Sequence, residues 1–239
     1  MIKGKINSFL SLGTLDGPGV RFVVFMQGCP LRCACCHNPE TWDTNAGNEF
    51  SAEEVFEKII RYKEYFGDKG GVTVSGGEPL IQAEFVTELF KLCKENNIST
   101  CLDTSGCIIS KKTDRLLKLT DHCLLDFKYT NKNDYLKYTG LDMSIPLKFL
   151  EKLKSYDVNT VLRQVIIEGL NDNEDNILYL LKLKQKFSFI SEIELLPFKK
   201  LCEDKYKTLG IDFKFKNFGE TSAETIDKLD NTIRIRRFS

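Results

Sequence analysis

Four of the nine cysteines in this 239-residue chain fall within eight positions, in the segment QGCPLRCACCHNPETWD (27 to 43). Cys29, Cys33 and Cys36 have the spacing C-x3-C-x2-C. Three closely spaced thiolates can hold three irons of a 4Fe-4S cluster and leave the fourth without a protein ligand. Electron-transfer clusters are ordinarily closed by four cysteines, so an open iron suggests a small chelating ligand. The amine and carboxylate of an amino acid would serve. A structural zinc is the competing reading, because Cys29, Cys33 and Cys36 together with Cys35 or His37 supply four donors. Against zinc, Cys36 and His37 are sequence neighbours whose side chains diverge, and a second C-x-x-C knuckle is missing. Under the cluster reading Cys35 is an odd thiol beside the metal, either a packing residue or an adventitious ligand. The remaining cysteines, Cys93, Cys101, Cys107, Cys123 and Cys202, are scattered and form no C-x-x-C pair, so one cluster site is implied.

The elements that position this loop follow from apolar periodicity. Short β-branched runs at 20 to 26, 71 to 75, 98 to 103, 122 to 128, 160 to 167 and 192 to 197 read as strands. Between them, 51 to 66, 82 to 96 and 175 to 187 have helical spacing, and Ser51 with Glu54 matches a capping box. Near-continuously apolar strands separated by helices require a parallel sheet covered by helices. A complete eightfold βα barrel takes roughly 250 residues, so six units in this length give an α/β fold, a partial, open (β/α)6 TIM-like barrel. A doubly wound open sheet is the alternative. The cysteine loop follows the first of these strands directly, at the strand end that carries the active site in such folds. No Pro-, Gly- or Ser-rich linker, internal repeat or low-complexity tract interrupts the chain, so 1 to 239 reads as one domain. The tail NTIRIRRFS (231 to 239) alternates apolar and basic residues like a half-buried terminal strand, with Arg234, Arg236 and Arg237 facing solvent.

Composition narrows the function classes. Hydrophobic residues make up 42% and charged residues 28%, as in ordinary globular proteins, which argues against disorder. Lys+Arg 34 balances Asp+Glu 34, which leaves no long-range field to collect a nucleic-acid backbone. No window approaches the ~20 apolar residues of a membrane span. The N-terminal MIKGKINSFLSL lacks the apolar core and cleavage site of a secretory signal. A cytoplasmic protein with metal-ligating rather than disulfide-forming cysteines is expected.

Other chemistry-bearing residues gather at the ends of successive strands. Ser75-Gly76-Gly77-Glu78-Pro79 ends the second run, and bare glycine backbone there lets carbonyls approach a ligand ammonium, although a simple turn explains it too. Asp103-Thr104-Ser105-Gly106 ends the third and Asp126-Phe127-Lys128 the fourth. A lysine ammonium can pair with a ligand carboxylate, and Asp103 and Asp126 can supply hard oxygen ligands to a cation. Arg163 points at the same mouth if the strand alternation is in register, with a structural salt bridge as the alternative. Asp16 and Arg21, in DGPGVR, flank the start of the first strand, in a segment that otherwise reads as a turn.

These motifs resemble a known family. The cysteine loop is similar to the signature of the radical S-adenosylmethionine (SAM) superfamily. GTLDGPGVRFVVFMQGC (13 to 29) and CHNPETWD (36 to 43) resemble the pyruvate formate-lyase activating enzymes, which are glycyl-radical-enzyme activases. The similarity continues through the GGE, DTSG and DFK segments to ELLPF (194 to 198), so it covers essentially the whole chain. It implies the radical SAM type of partial barrel and reductive cleavage of SAM at a 4Fe-4S cluster. The resulting 5'-deoxyadenosyl radical would abstract a glycine α-hydrogen from a partner enzyme, pyruvate formate-lyase in the first place. The partner's glycine is normally buried, so its loop must move to the barrel mouth.

The resemblance also assigns residues. It places Cys35, Cys36, His37, Gly77, Asp126, Phe127, Lys128, Arg163 and Lys199 at the cofactor, with Gly77 toward the SAM amino group. Asp103, Thr104 and Asp126 match a monovalent-cation site, and Asp16 lies where the partner's glycyl loop enters. Reduced flavodoxin or ferredoxin is the implied electron donor. Many glycyl-radical activases carry a ferredoxin-like insert with further cysteines, whereas residues 38 to 77 here contain none, which points to the short type. Two positions depart from the family: Lys199 stands where a histidine two residues after the proline is usual, and Cys35 stands where an aromatic residue is common. They leave room for another partner, such as anaerobic ribonucleotide reductase. A zinc-binding interaction module without catalysis is the rival from a different class.

Overall fold

The computed structural model describes residues 2–236. In chain order its strands are β1 (Lys3–Gly13), β2 (Arg21–Met26), β3 (Asn48–Ser51), β4 (Gly71–Gly76), β5 (Ser99–Thr104), β6 (His122–Asp126), β7 (Asn159–Ile166) and β8 (Ile190–Pro197). The helices are α1 (Ala52–Ile59), α2 (Ala83–Glu95), α3 (Lys111–Leu117), α4 (Lys132–Thr139), α5 (Ser144–Tyr156), α6 (Glu174–Lys186), α7 (Glu203–Leu209) and α8 (Ala223–Arg236). The eight strands form one open sheet ordered β3-β1-β2-β4-β5-β6-β7-β8. From β2 to β8 every pairing is parallel, while β1 lies antiparallel to β2 and β3 antiparallel to β1.

The six parallel strands are the six expected from the apolar runs, within a few residues at each end. They follow one another in chain order without the reversal that defines a doubly wound sheet, so the partial-barrel reading holds. Their apolar side chains drive this arrangement: Phe22, Val23, Val24, Val72, Val74, Leu102 and Leu125 are all buried, on strands that helices cover. β1 and β3 extend the sheet beyond the six units. Ser51 and Glu54 form the expected capping box at the start of α1. The helical pattern expected over 51 to 66 tightens at Ile60–Tyr65 into a 3-10 segment, because the buried face ends at Ile59 and none of those six residues is buried.

The expected terminal strand is instead the end of α8. Ile226, Leu229 and Ile233 repeat at helical spacing against the core and override the local alternation around Ile233 and Ile235. Arg234 and Arg236 are exposed, as expected, and Arg236 pairs with Glu174. Arg237 lies outside the described residues. Among the described residues no helix is long and apolar enough to cross a membrane.

Arg21 closes the floor of the barrel. It is fully buried, and its guanidinium donates to Thr73 Oγ1 (2.6 Å) and to the carbonyls of Pro18 (2.9 Å), Val72 (2.7 Å) and Ser99 (3.1 Å). Burial alone pulls its pKa down, with nearby thiols and carboxylates acting the other way. This network ties β2, β4 and β5 together at the end opposite the cysteine loop.

Candidate active site

The cysteine loop leaves β2 under tight backbone control. Gly28 N–H donates to the Thr41 carbonyl (2.8 Å), and Gln27 Nε2 donates to the carbonyls of Glu40 (3.0 Å) and Asp43 (2.8 Å). Gln82 Nε2 in turn holds the Gln27 carbonyl (2.8 Å). From the other side, the C-terminal turn of α4 accepts Arg32 N–H at Thr139 (3.2 Å) and Ala34 N–H at Tyr138 (2.8 Å). Tyr206 Oη donates to the Cys36 carbonyl (3.1 Å). Three separate elements therefore fix the backbone that carries the thiols.

Cys29, Cys33, Cys35 and Cys36 line one cavity of about 270 Å3. Its other walls are Gly76 and Gly77 at the end of β4, Asp103 and Thr104 on β5, Asp126 and Lys128 at the end of β6, and Arg163 on β7, with His37 and Trp42 completing the loop side. All of these lie at the C-terminal ends of the parallel strands, where the register sets Asp126 opposite Arg163 and Arg163 opposite Glu194. Of the residues expected at the cofactor from sequence, Phe127 and Lys199 do not line this cavity, and neither does Asp16, expected at the partner's loop.

Buried thiols resist ionisation. Burial pushes Cys29 up to about 12, Cys35 up to about 11, and Cys33 and Cys36 upward as well. Metal ligation reverses this by displacing the proton. Among the described residues no three His, Cys, Asp or Glu side chains converge on a single-ion position. A four-iron cluster does not need that, because it takes each thiolate on a separate iron. His37 Nε2 is 2.8 Å from the Lys199 carbonyl, an acceptor only, so that nitrogen carries a proton and donates. The donor set fits a three-cysteine cluster better than the zinc tetrahedron considered from sequence.

The charged rim is paired. Lys128 Nζ lies 2.6 Å from Asp126 Oδ2. Burial works against the Lys128 ammonium, but Asp126 and the thiols of Cys33 and Cys35 outweigh it and hold it charged. Ser75 Oγ donates to Asp103 Oδ2 (2.7 Å). Burial, reinforced by the Asp126 carboxylate, pushes Asp103 up to about 6. Arg163 Nη1 stands 3.9 Å from Asp103 Oδ2, and its Nε lies 3.0 Å from Glu194 Oε2 without hydrogen-bond alignment. A bound cation or ammonium between Asp103 and Asp126 would relieve the repulsion between them.

Glu78 was hidden inside the GGE segment. It is 1% exposed and accepts from Leu80 N–H (3.1 Å) and Thr104 Oγ1 (2.5 Å) at one oxygen, and from Ser105 N–H (3.0 Å) and Ser105 Oγ (2.5 Å) at the other. It joins the mouth of β4 to that of β5. Gly77 serves the same junction: a Cβ there would come within 2.2 Å of the Gly28 carbonyl oxygen, so only glycine lets β4 approach the cysteine loop. Gln27, Glu78 and Tyr206 shape the site without lining it. Sequence reading missed them because a buried polar residue has no periodic signature.

Three expected residues lie outside the cavity lining. The Phe127 ring is fully buried and packs against Tyr135 and Tyr179 at centroid distances of 5.6 and 6.3 Å, because strand alternation turns it away from its neighbours Asp126 and Lys128. The Lys199 side chain points outward, with Nζ 3.4 Å from Glu220 Oε2, and only its carbonyl meets the site through His37. Asp16 sits lower in the barrel. Its carbonyl accepts from Thr73 Oγ1 (2.6 Å), and burial raises its carboxyl pKa against the pull of Arg163 and Arg21.

The sequence matches the family described as "4Fe-4S single cluster domain" over residues 15–144. It is 40% identical over 235 residues to the pyruvate formate-lyase-activating enzyme of Clostridium pasteurianum, covering 98% of both chains. It is 37% identical over 229 residues to the pyruvate formate-lyase 1-activating enzyme of Escherichia coli strain K12, covering 95% of this chain and 93% of that one. Among solved structures it is similar to Streptococcus suis SuiB bound to S-adenosylmethionine, with a TM-score of 0.66 at 15% identity over 87% of this chain and 45% of that one. That last likeness is one of fold. By full-length identity to two curated relatives, the chain belongs to the family of pyruvate formate-lyase-activating enzymes.

Proposed function

We propose that this protein activates a glycyl radical enzyme, pyruvate formate-lyase, by reductive cleavage of SAM and abstraction of a glycine α-hydrogen. The observation that carries the reading is one cavity lined at once by Cys29, Cys33, Cys36, Gly77, Asp103, Asp126 and Lys128, in a chain with 40% identity to a relative of that name. When bound, the reduced cluster supplies the electron that splits SAM into methionine and a 5'-deoxyadenosyl radical, which takes the glycine hydrogen.

The residues do the rest. Cys29, Cys33 and Cys36 would hold the cluster and leave one iron free for SAM. The Lys128 ammonium would pair with the SAM carboxylate, and the backbone at Gly77 would receive its amine. Asp103, Thr104 and Asp126 take a monovalent cation beside them. The Thr104 hydroxyl is committed to Glu78, so Thr104 would offer its carbonyl. Cys35, His37 and Arg163 wall the cofactor, whereas Phe127 supports it from behind and Lys199 contributes its backbone. Asp16 meets the partner's loop from the barrel interior. The whole chain forms a single domain without a ferredoxin-like insert. Reduced flavodoxin or ferredoxin supplies the electron in the cytoplasm, a setting that suits nine free cysteines.

The test is anaerobic. The cluster-loaded protein is reduced with dithionite and given SAM, with and without pyruvate formate-lyase. 5'-Deoxyadenosine together with a glycyl radical signal on the partner is the expected result. Nucleoside without that signal, and a signal on anaerobic ribonucleotide reductase instead, would reassign the partner. No nucleoside from a protein with full iron and sulfide would overturn the reaction.

A further inference from the structure

Trp42 is a wall between two spaces. It lines the cofactor cavity and also an open surface groove of about 500 Å3. Leu209 and Ile211, at the end of α7, line the same groove and are 44% and 36% exposed. Tyr206 of α7 packs edge-on against the Trp42 ring at 5.9 Å and fixes that side. Arg32 stands at the rim, its guanidinium 5.0 Å over the indole. It lies between Cys29 and Cys33 in the chain, and its Nη1 donates to the Cys29 carbonyl (2.8 Å). Unlike its neighbours Leu31 and Cys33, Arg32 does not line the cavity. The groove therefore reaches the cysteine loop from the far side of Trp42.

Positive charge is in excess around it. Arg32, Lys137 and Lys214 are exposed and form no ion pair among the described residues. Lys137 lies in the last turn of α4, next to the Thr139 carbonyl that holds Arg32 N–H. Lys214 lies between Phe213 and Phe215, which turn inward onto Tyr206 (4.8 Å) and Tyr138 (5.2 Å) and leave the lysine facing outward. Of the two carboxylates at the groove, Glu40 is neutralised by Lys205 (2.5 Å), and only Asp43 has no basic partner among the described residues. Exposed apolar side chains edged by unpaired cations suit an acidic protein.

We infer that this groove is where the electron donor docks, a small acidic protein with a one-electron cofactor at its surface, steered by Arg32, Lys137 and Lys214. The inference rests on the function proposed above and adds to it the surface that receives the donor. Electron transfer weakens steeply with distance, so the donor must approach where the protein is thinnest, and here one indole separates the groove from the cavity. The strand-end mouth is left to SAM and the partner's loop. Electron-transfer complexes are small, below about 1,200 Å2 of total buried surface, and a groove of this size is enough for one. The donor loses one electron there and the cluster gains it, with no bond formed or broken in this chain.

The experiment uses the cluster-loaded full chain as wild type, Leu209→Asp, and the pair Lys137→Glu with Lys214→Glu. A control pair, Lys118→Glu with Lys154→Glu, makes the same change in net charge at the opposite end of the barrel, just before β6 and β7 begin. Flavodoxin and a ferredoxin are the probes. Binding of each oxidised donor is measured by calorimetry at low salt, and cluster reduction by each reduced donor by stopped flow. The Lys137/Lys214 pair should weaken binding and slow reduction by about tenfold or more, a difference that shrinks as salt is added. Leu209→Asp should weaken binding as well, and the control pair should stay within about twofold of wild type. SAM cleavage driven by dithionite, which needs no docking, should be unchanged in every variant. Wild-type donor binding in the Lys137/Lys214 pair would overturn the inference, and so would an equal loss in the control pair. Intact donor binding with a lower glycyl radical yield under dithionite would give the groove to the partner enzyme instead. A wild-type chain that binds neither donor yet cleaves SAM with dithionite would overturn the docking surface and leave the reaction standing. No nucleoside with dithionite at full iron and sulfide would overturn the reaction itself.

Discussion

Replacing Glu78 with glutamine tests whether the mouths of β4 and β5 are held together by one buried carboxylate. The substitution preserves shape but turns one acceptor oxygen into a donor. Each oxygen serves one backbone N–H, Leu80 at Oε1 and Ser105 at Oε2, and one hydroxyl, Thr104 or Ser105. The hydroxyls can turn round and accept from the new NH2 group. A backbone N–H cannot, so whichever way the amide sits, one of them faces a donor. A hydrogen bond to a charged group contributes about 1.5–3 kcal/mol, and a buried donor left unpaired costs about 1–3 kcal/mol. Relief from burying a charge offsets part of this, leaving a net loss of about 2–4 kcal/mol. For a chain of this size that lowers the melting temperature by roughly 4–16 °C. Differential scanning calorimetry on the cluster-free protein measures it directly. A melting temperature within 2 °C of wild type would show that Glu78 does not hold the junction.

Further outcomes follow from single groups. Cys33→Ala should lose most of the iron and sulfide and abolish SAM cleavage, and wild-type cleavage would contradict its role as a ligand. Lys199→Ala should leave the SAM dissociation constant within about threefold, since Nζ pairs with Glu220 outside the cavity, whereas a tenfold loss measured by calorimetry would place the ammonium on the ligand. Lys199→His should preserve or improve that affinity. Cys93 and Cys101, away from the cluster, are each pushed up to about 12 by burial. Unfolded thiols ionise near 8.5, so their stabilisation is fully present below that pH and is lost as pH rises through 9 toward 12. The loss is up to about 1.4 kcal/mol per thiol per pH unit. A urea midpoint unchanged between pH 8 and pH 10 would refute it.

What the sequence made legible was whatever repeats or clusters along the chain. The six parallel strands announce themselves by apolar runs, and the cysteine loop by its spacing. The strand-end residues Asp103, Asp126, Lys128 and Arg163 could be placed because parallel βα folds bring such ends together. Alternation within Asp126-Phe127-Lys128 was legible too, and reading it strictly turns Phe127 away from the mouth. Local pattern misled at the tail, where Ile226, Leu229 and Ile233 outweigh a two-residue alternation. Buried polar groups were the harder loss. Nothing in the spacing of Glu78 or Arg21 separates a buried hydrogen-bonding role from a solvated one, since most of their partners come from strands and loops 26 to 78 residues away.

Arg21, Thr73 and Asp16 form a relay from the barrel floor toward the cavity that can be cut without touching the cofactor walls. Thr73 Oγ1 accepts from Arg21 Nε and donates to the Asp16 carbonyl, both at 2.6 Å, and Thr73 does not line the cavity. Thr73→Val keeps the volume and removes both bonds, which costs about 2–3 kcal/mol and frees the DGPG segment from its anchor. If Asp16 meets the partner's loop, the variant should still convert SAM to 5'-deoxyadenosine at the wild-type rate in the absence of partner. Its glycyl radical yield at limiting partner should fall, and raising the partner concentration should restore it. The two readouts divide because the anchor orients the loop contact while the thiols, Lys128 and Asp126 hang from other elements. Equal losses in uncoupled cleavage and in radical yield would mean that the relay braces the whole barrel, and Asp16 would then have no separate part in receiving the partner.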